Sequence, residues 1–135
     1  MDIEHRAREV SLPYRWWLMD SWWYQKGSLS GLRTWDALPS TFPGSDGRGG
    51  DRALDELANA TGWSIVAHAR FFAADTSYAL QNGGRYDFVV EKGRFGAHPV
   101  DGGLALPVDA RFWHELLRNK TRAIRLLAGV ELDWM

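Results

Sequence analysis

The chain contains no cysteine, which excludes disulfide frameworks and any metal or nucleophile site built on a thiolate. It has no apolar run near the roughly 18 residues needed to cross a bilayer, so no membrane partner is expected. Its opening, Met1 to Val10, is charged and lacks the apolar stretch of a secretory leader. A soluble protein of unspecified location is expected. Basic charge is not in excess: 16 Lys and Arg against 17 Asp and Glu give a net charge of −1. The electrostatic footprint that draws nucleic acid is therefore missing. No His-x-x-His spacing occurs, and His68 and His98 stand far apart, so no metal or other cofactor is expected. The run Gly44-Ser45-Asp46-Gly47-Arg48-Gly49-Gly50 precedes a helix. It lacks the Lys-Ser/Thr of a phosphate cradle and the order of a dinucleotide fingerprint, and it reads as a connection.

What the chain does have is tryptophan: 8 in 135 residues, within an apolar fraction of 45%. That composition suits one globular domain. Indoles of this number either add core bulk or line a sugar-binding cleft.

Residues 1–13 form a loose, charged lead-in, and 14–135 form the domain. Tyr14 to Met19 is short, aromatic and apolar, as for a strand buried on both faces, and it ends at Asp20. Residues 21–50 show no sustained period and carry eight Gly and Pro, so a long loop is expected there. Asp51 to Ala60 has helical spacing, with Asp51 as the cap and Gly62 as the stop. Trp63 to His68 is a second strand, followed by an irregular stretch over 69–85. Tyr86 to Glu91 is a third strand, and the Gly- and Pro-rich 93–107 is a loop. Asp109 caps a second helix carrying Phe112, Trp113, Leu116 and Leu117. Val130 to Trp134 closes the order as a strand. Strands alternating with helices predict βαβ units and a parallel sheet. The strand-end residues Asp20, His68 and Asp133 would then share the edge at which such folds bind ligands.

The order of motifs adds a resemblance. Leu18-Met19-Asp20-Ser21-Trp22-Trp23 resembles the Asp-Asp-Gly-Trp strand end of α-galactosidase-type glycoside hydrolases, the raffinose-synthase branch included. Gly31, Trp35 and Phe42-Pro43-Gly44 then follow in the family's order, as do Gly62-Trp63 through His68, and finally Gly129 and Glu131-Leu132-Asp133-Trp134. The likeness spans residues 14–134. It departs at Ser21, where the family has a second Asp, and at Glu131, where the family has Lys.

The resemblance implies an α/β fold: a partial (β/α) barrel, half a TIM barrel, with parallel strands alternating with helices and long βα loops. It implies Asp133 as the catalytic nucleophile; Asp20, Trp22, Trp35, His68, Glu131 and Trp134, with Arg70 just after the His68 strand, are the substrate-binding residues expected around it. The substrate would be an α-linked carbohydrate. The acid/base carboxylate of the family lies on a later strand, so a half barrel inactive alone is expected, completed by a C-terminal half or by self-association.

Each residue also has a plainer role. Asp133 and Asp20 suit turn or cap positions after a strand. Glu131 either shares a proton with Asp133 or pairs with Arg70 or Arg15. His68 is a sugar ligand or a satisfied structural histidine, and Arg70 offers a bidentate fork for hydroxyls or a carboxylate. Three functions stay open: a glycoside hydrolase piece, a non-catalytic carbohydrate-binding surface using the tryptophans, or a fragment without activity.

Overall fold

The computed structural model describes residues 2–95 and 98–133. Its order is α1 (Asp2–Glu9), β1 (Trp16–Met19), β2 (Tyr24–Lys26), β3 (Leu32–Ala37), α2 (Asp51–Thr61), β4 (Ser64–Ala69), β5 (Phe72–Ala73), β6 (Phe88–Phe95), β7 (His98–Pro107), α3 (Ala110–Ala123) and β8 (Leu127–Leu132). Two sheets result. One is three-stranded and wholly parallel, in the order β1-β4-β8. The other is five-stranded, in the order β2-β3-β5-β7-β6, and all its pairs are antiparallel except β3 with β5.

This overturns the half-barrel expectation. Among the described residues no barrel closes, and strands do not simply alternate with helices. α2 and α3 do lie between the parallel strands in sequence. However, the segment from β1 to β4 also carries β2 and β3, and the segment from β4 to β8 also carries β5, β6 and β7. Those strands pair with one another into a second sheet instead of extending the first. β1 and β8 are left as the two edges of the parallel sheet, either side of β4.

The corrections within elements have local causes. The expected loop over 21–50 contains β2 and β3, and β3 buries Leu32, Trp35 and Ala37, a spacing that is not the period of two. The expected loop over 93–107 is largely the β6–β7 ribbon. Its Gly102 has φ of +117°, and a Cβ there would fall 2.7 Å from the Ser28 side chain. Glycine therefore serves close approach here, not a turn. The N-terminal lead-in is a helix whose Glu4–Arg8 and His5–Glu9 pairs sit at i,i+4. Asp51 does not cap α2. Gly50 holds that position, and the Asp51 carboxylate accepts from the Ala37 N–H at 2.8 Å. Asp109 does cap α3, accepting from the Arg111 N–H at 2.9 Å, and Gly62 ends α2 with φ of +70°.

α3 ties the second sheet to α2. Near its start, Phe112 is buried and meets Phe72, Phe88, Tyr78 and Tyr86 edge-on, with ring centres 5.1–5.4 Å apart. This is the favoured geometry for opposing ring quadrupoles. Near its end, Lys120 is buried at 3% exposure and donates to Asp36 at 2.7 Å and Asp51 at 2.5 Å. A buried ammonium persists only when carboxylates neutralise it, so this trio pins α3 to β3 and to the start of α2. No helix is long and apolar enough to cross a membrane among the described residues.

Phe112→Ala removes the ring on which four others converge. A loss of about 3–5 kcal/mol is expected. Urea unfolding checks it: the midpoint should fall with the slope unchanged, and an unmoved midpoint contradicts the packing described.

Candidate functional site

Parallel strands place their carboxyl ends together, and the register here is explicit. Met19 pairs with Ala67, and His68 and Ala69 pair with Glu131 and Leu132. One step further, the Asp133 N–H donates to the Ala69 carbonyl at 2.9 Å. Asp20, His68, Arg70, Glu131 and Asp133 thus all sit at one end of the parallel sheet.

On the β1 side the ladder stops for a stated reason. The Ser64 N–H donates to the Arg15 carbonyl, so the alternate residues Ser64, Val66 and His68 face β1. Continued, the pattern would bring the Ser21 N–H to the His68 carbonyl. Instead Ser21 N–H donates to Asp20 Oδ1, and Trp23 N–H donates to the Asp20 carbonyl at 3.1 Å, which turns the chain away. Asp20 therefore performs the turn role, and its exposed carboxylate remains at the rim. The vacated His68 carbonyl accepts two indole N–H groups, from Trp23 at 3.0 Å and from Trp35 at 2.9 Å. Both indoles are at most 1% exposed. Trp35, expected to touch substrate, is buried behind the site and supports it.

The His68 side chain is buried at 4% exposure, and that of Asp133 is half exposed at 50%. His68 Nδ1 lies 3.1 Å from the Tyr24 hydroxyl, with the two rings stacked at 5.8 Å and 14°. His68 Nε2 lies 3.5 Å from Asp133 Oδ2, the outer limit of a hydrogen bond. Burial pushes the Tyr24 hydroxyl up to about 12. Arg70 opposes that rise, and the Asp20 and Asp133 carboxylates add to it. All three charges therefore act on one phenol, and the site is a shared electrostatic environment.

The remaining expected residues are distributed around this core. Glu131 is exposed on β8, paired in register with His68. The Arg70 guanidinium lies over the Phe71 ring at 5.3 Å and donates to the Ser30 carbonyl at 3.4 Å. Trp22 is 49% exposed and stacks on Phe42 with ring centres 5.9 Å apart, offering an apolar flat surface in the turn after β1. Trp134 lies outside the described residues. Among the described residues, no group of three or more His, Asp or Glu could hold a metal ion. Tyr24 and Trp23 contact His68 at this candidate site, and sequence reasoning missed both. They fall in a segment read as loop, and the one signal was the unbroken aromatic run Trp22-Trp23-Tyr24 directly after the strand end.

Comparison with protein-family models, with curated proteins and with solved structures found no match. The chemistry of this site therefore rests on its own geometry.

Tyr24 and Tyr78 give the fold an alkaline limit. Tyr78 is also raised, first by burial and then by the Asp36 carboxylate. A raised acid holds its proton in the native state after the unfolded chain has lost it. The associated stability is therefore complete below the ordinary tyrosine value of 10.0 and is lost as pH rises through about 12. Denaturant midpoints measured across that window should fall continuously; a flat profile would show that neither phenol is held protonated by the fold.

Proposed function

We propose that the carboxyl end of the parallel sheet is a carbohydrate-active site of the retaining glycoside hydrolase kind, with Asp133 as its nucleophile. The observation that carries this is the state of Asp133. It is a half-exposed carboxylate at a strand end, its main chain fixed to Ala69 and one oxygen turned to a buried histidine. A carboxylate held on one oxygen and open on the other suits attack on an anomeric carbon. The resemblance of Asp20 to Trp23 and of Glu131 to Trp134 to α-galactosidase-type strand ends supports the same assignment. So does the neighbouring rim of Asp20 and Trp22, a hydrogen-bond acceptor and a flat apolar surface of the type that sugars use.

In this mechanism Asp133 Oδ1 forms a bond to the anomeric carbon while the glycosidic C–O bond breaks. The electron pair leaves on the departing oxygen, and water later hydrolyses the ester. Natural leaving groups need a proton from a second carboxyl about 5 Å from the nucleophile and placed across the bond. Glu131 is two residues back along the same strand and lies beside Asp133, not across from it. An activated aryl glycoside avoids the requirement, since its leaving group departs as a stabilised phenolate. The chain is proposed to be inert toward natural oligosaccharides for that reason.

Non-catalytic carbohydrate binding is the second proposal, and the half-exposed Trp22 stacked on Phe42 favours it. One experiment separates the two. Incubation with an aryl α-galactoside followed by intact-mass measurement should reveal a glycosyl adduct that Asp133→Ala abolishes and Glu131→Gln retains. Saturable quenching of tryptophan fluorescence by the sugar, lost in Trp22→Ala and without any adduct, selects binding alone. An adduct that survives Asp133→Ala contradicts the nucleophile assignment.

A further inference from the structure

We infer that Tyr24 is a positioning residue for Asp133: its hydroxyl, donating to His68 Nδ1, holds the imidazole as the Nε2–H tautomer, and that N–H is turned on Asp133 Oδ2. The inference deepens the glycosidase proposal and rests on it for its catalytic meaning, though not for its structural content.

A neutral imidazole has one donor nitrogen and one acceptor nitrogen, and which is which follows from the partner each one meets. His68 has one partner on each side, at 3.1 Å and 3.5 Å. An ionised carboxylate can only accept. If Nδ1 carried the proton, the Nε2 lone pair would face the Asp133 carboxylate, acceptor against acceptor. The phenol resolves this: it can donate or accept, but its O–H is a stronger donor than its oxygen is an acceptor, so it gives its hydrogen to the basic Nδ1 it meets at 3.1 Å. The groups around the ring are Tyr24 from β2 and Asp133 after β8, which contact it, Glu131, paired in register with His68 on β8, and Asp20 after β1 and Arg70 after β4, whose charges act on the Tyr24 phenol. Tyr24 is the member of this set whose hydroxyl meets Nδ1.

Position is fixed as tightly as protonation. Tyr24 stacks on the imidazole face, and the two indoles hold the His68 main chain. Asp133 is tied to Ala69 through its N–H. The remaining freedom of the carboxylate is rotation about its side-chain bonds, which a single directed N–H removes. Oδ1 is then left as the attacking oxygen.

The test uses the full chain labelled with ¹⁵N and ¹³C, in which long-range correlations of the His68 ring report its tautomer. Asp133→Ala should keep the Nε2–H form, because Tyr24 alone suffices to set it. Adding Tyr24→Phe to that variant should release the ring into a mixture of tautomers. A mixture already present in Asp133→Ala, or an undisturbed Nε2–H form in the double variant, overturns the inference. Tyr24→Phe alone should slow glycosyl labelling of Asp133 roughly tenfold or more at saturating aryl glycoside, as loss of an outer orienting partner does elsewhere. An unchanged rate there also overturns it. If the unsubstituted chain forms no adduct while the ring behaves as stated, the glycosidase proposal fails and the Tyr24 assignment stands. Should the phenylalanine variant not fold, the Asp133→Ala arm still decides.

Discussion

The structure depends on one acceptor, the His68 carbonyl, and on the two indole N–H groups that share it. A carbonyl at the end of a buried strand needs a donor, and an unsatisfied one costs about 1–3 kcal/mol. The backbone donor due in the ladder is diverted to Asp20. Trp23 comes from the turn after β1 and Trp35 from β3, so satisfying this carbonyl draws the second sheet's strands onto the end of the first. The same contacts fix the main chain of the residue whose ring stands between Tyr24 and Asp133. A folding constraint and a candidate chemical site therefore meet at one residue.

The two indoles are engaged on their faces as well. Lys120 Nζ lies 5.7 Å from the Trp23 ring centre and 5.8 Å from that of Trp35, within the range of cation–π attraction. A cation over the ring withdraws electron density and strengthens the N–H as a donor, in the manner of polarised hydrogen-bond chains. A continuous path follows: Asp36 and Asp51 to Lys120, Lys120 to the indoles, the indoles to His68, and His68 to Tyr24 and Asp133. α2 and α3 support the site through this path without reaching it.

The parallel sheet was legible in the sequence because its strands are apolar, β-branched or aromatic runs that end in polar residues. That Asp20, His68 and Asp133 share one end of that sheet was read from those ends alone. α2 and α3 were legible from their spacing and from Gly62 and Asp109, whereas α1 was read as a loose lead-in. Of the second sheet only β6 was, overlapping the strand expected over Tyr86 to Glu91. β2 has three residues and β5 two, too few to show a period, and β7 carries Gly102, which packs closely against Ser28. Reading those segments as loops left strands and helices in near alternation, and the barrel expectation came from that order together with the family resemblance. Trp35 was misassigned for a related reason. An indole that supports a site from behind and one that touches a ligand look the same in sequence, and only its burial on β3 distinguishes them.

The central claim is that both indoles converge on the His68 carbonyl. Hydrogen-bond scalar couplings, observed between an indole ¹⁵N and a carbonyl ¹³C across the bond, test it directly. Cross-peaks should link the Trp23 and Trp35 Nε1 resonances to the single ¹³C of His68, and both N–H protons should exchange slowly with solvent. If both couplings are absent and the indole protons exchange as freely as that of Trp22, the two sheets are not joined in this way and the site built on His68 does not exist.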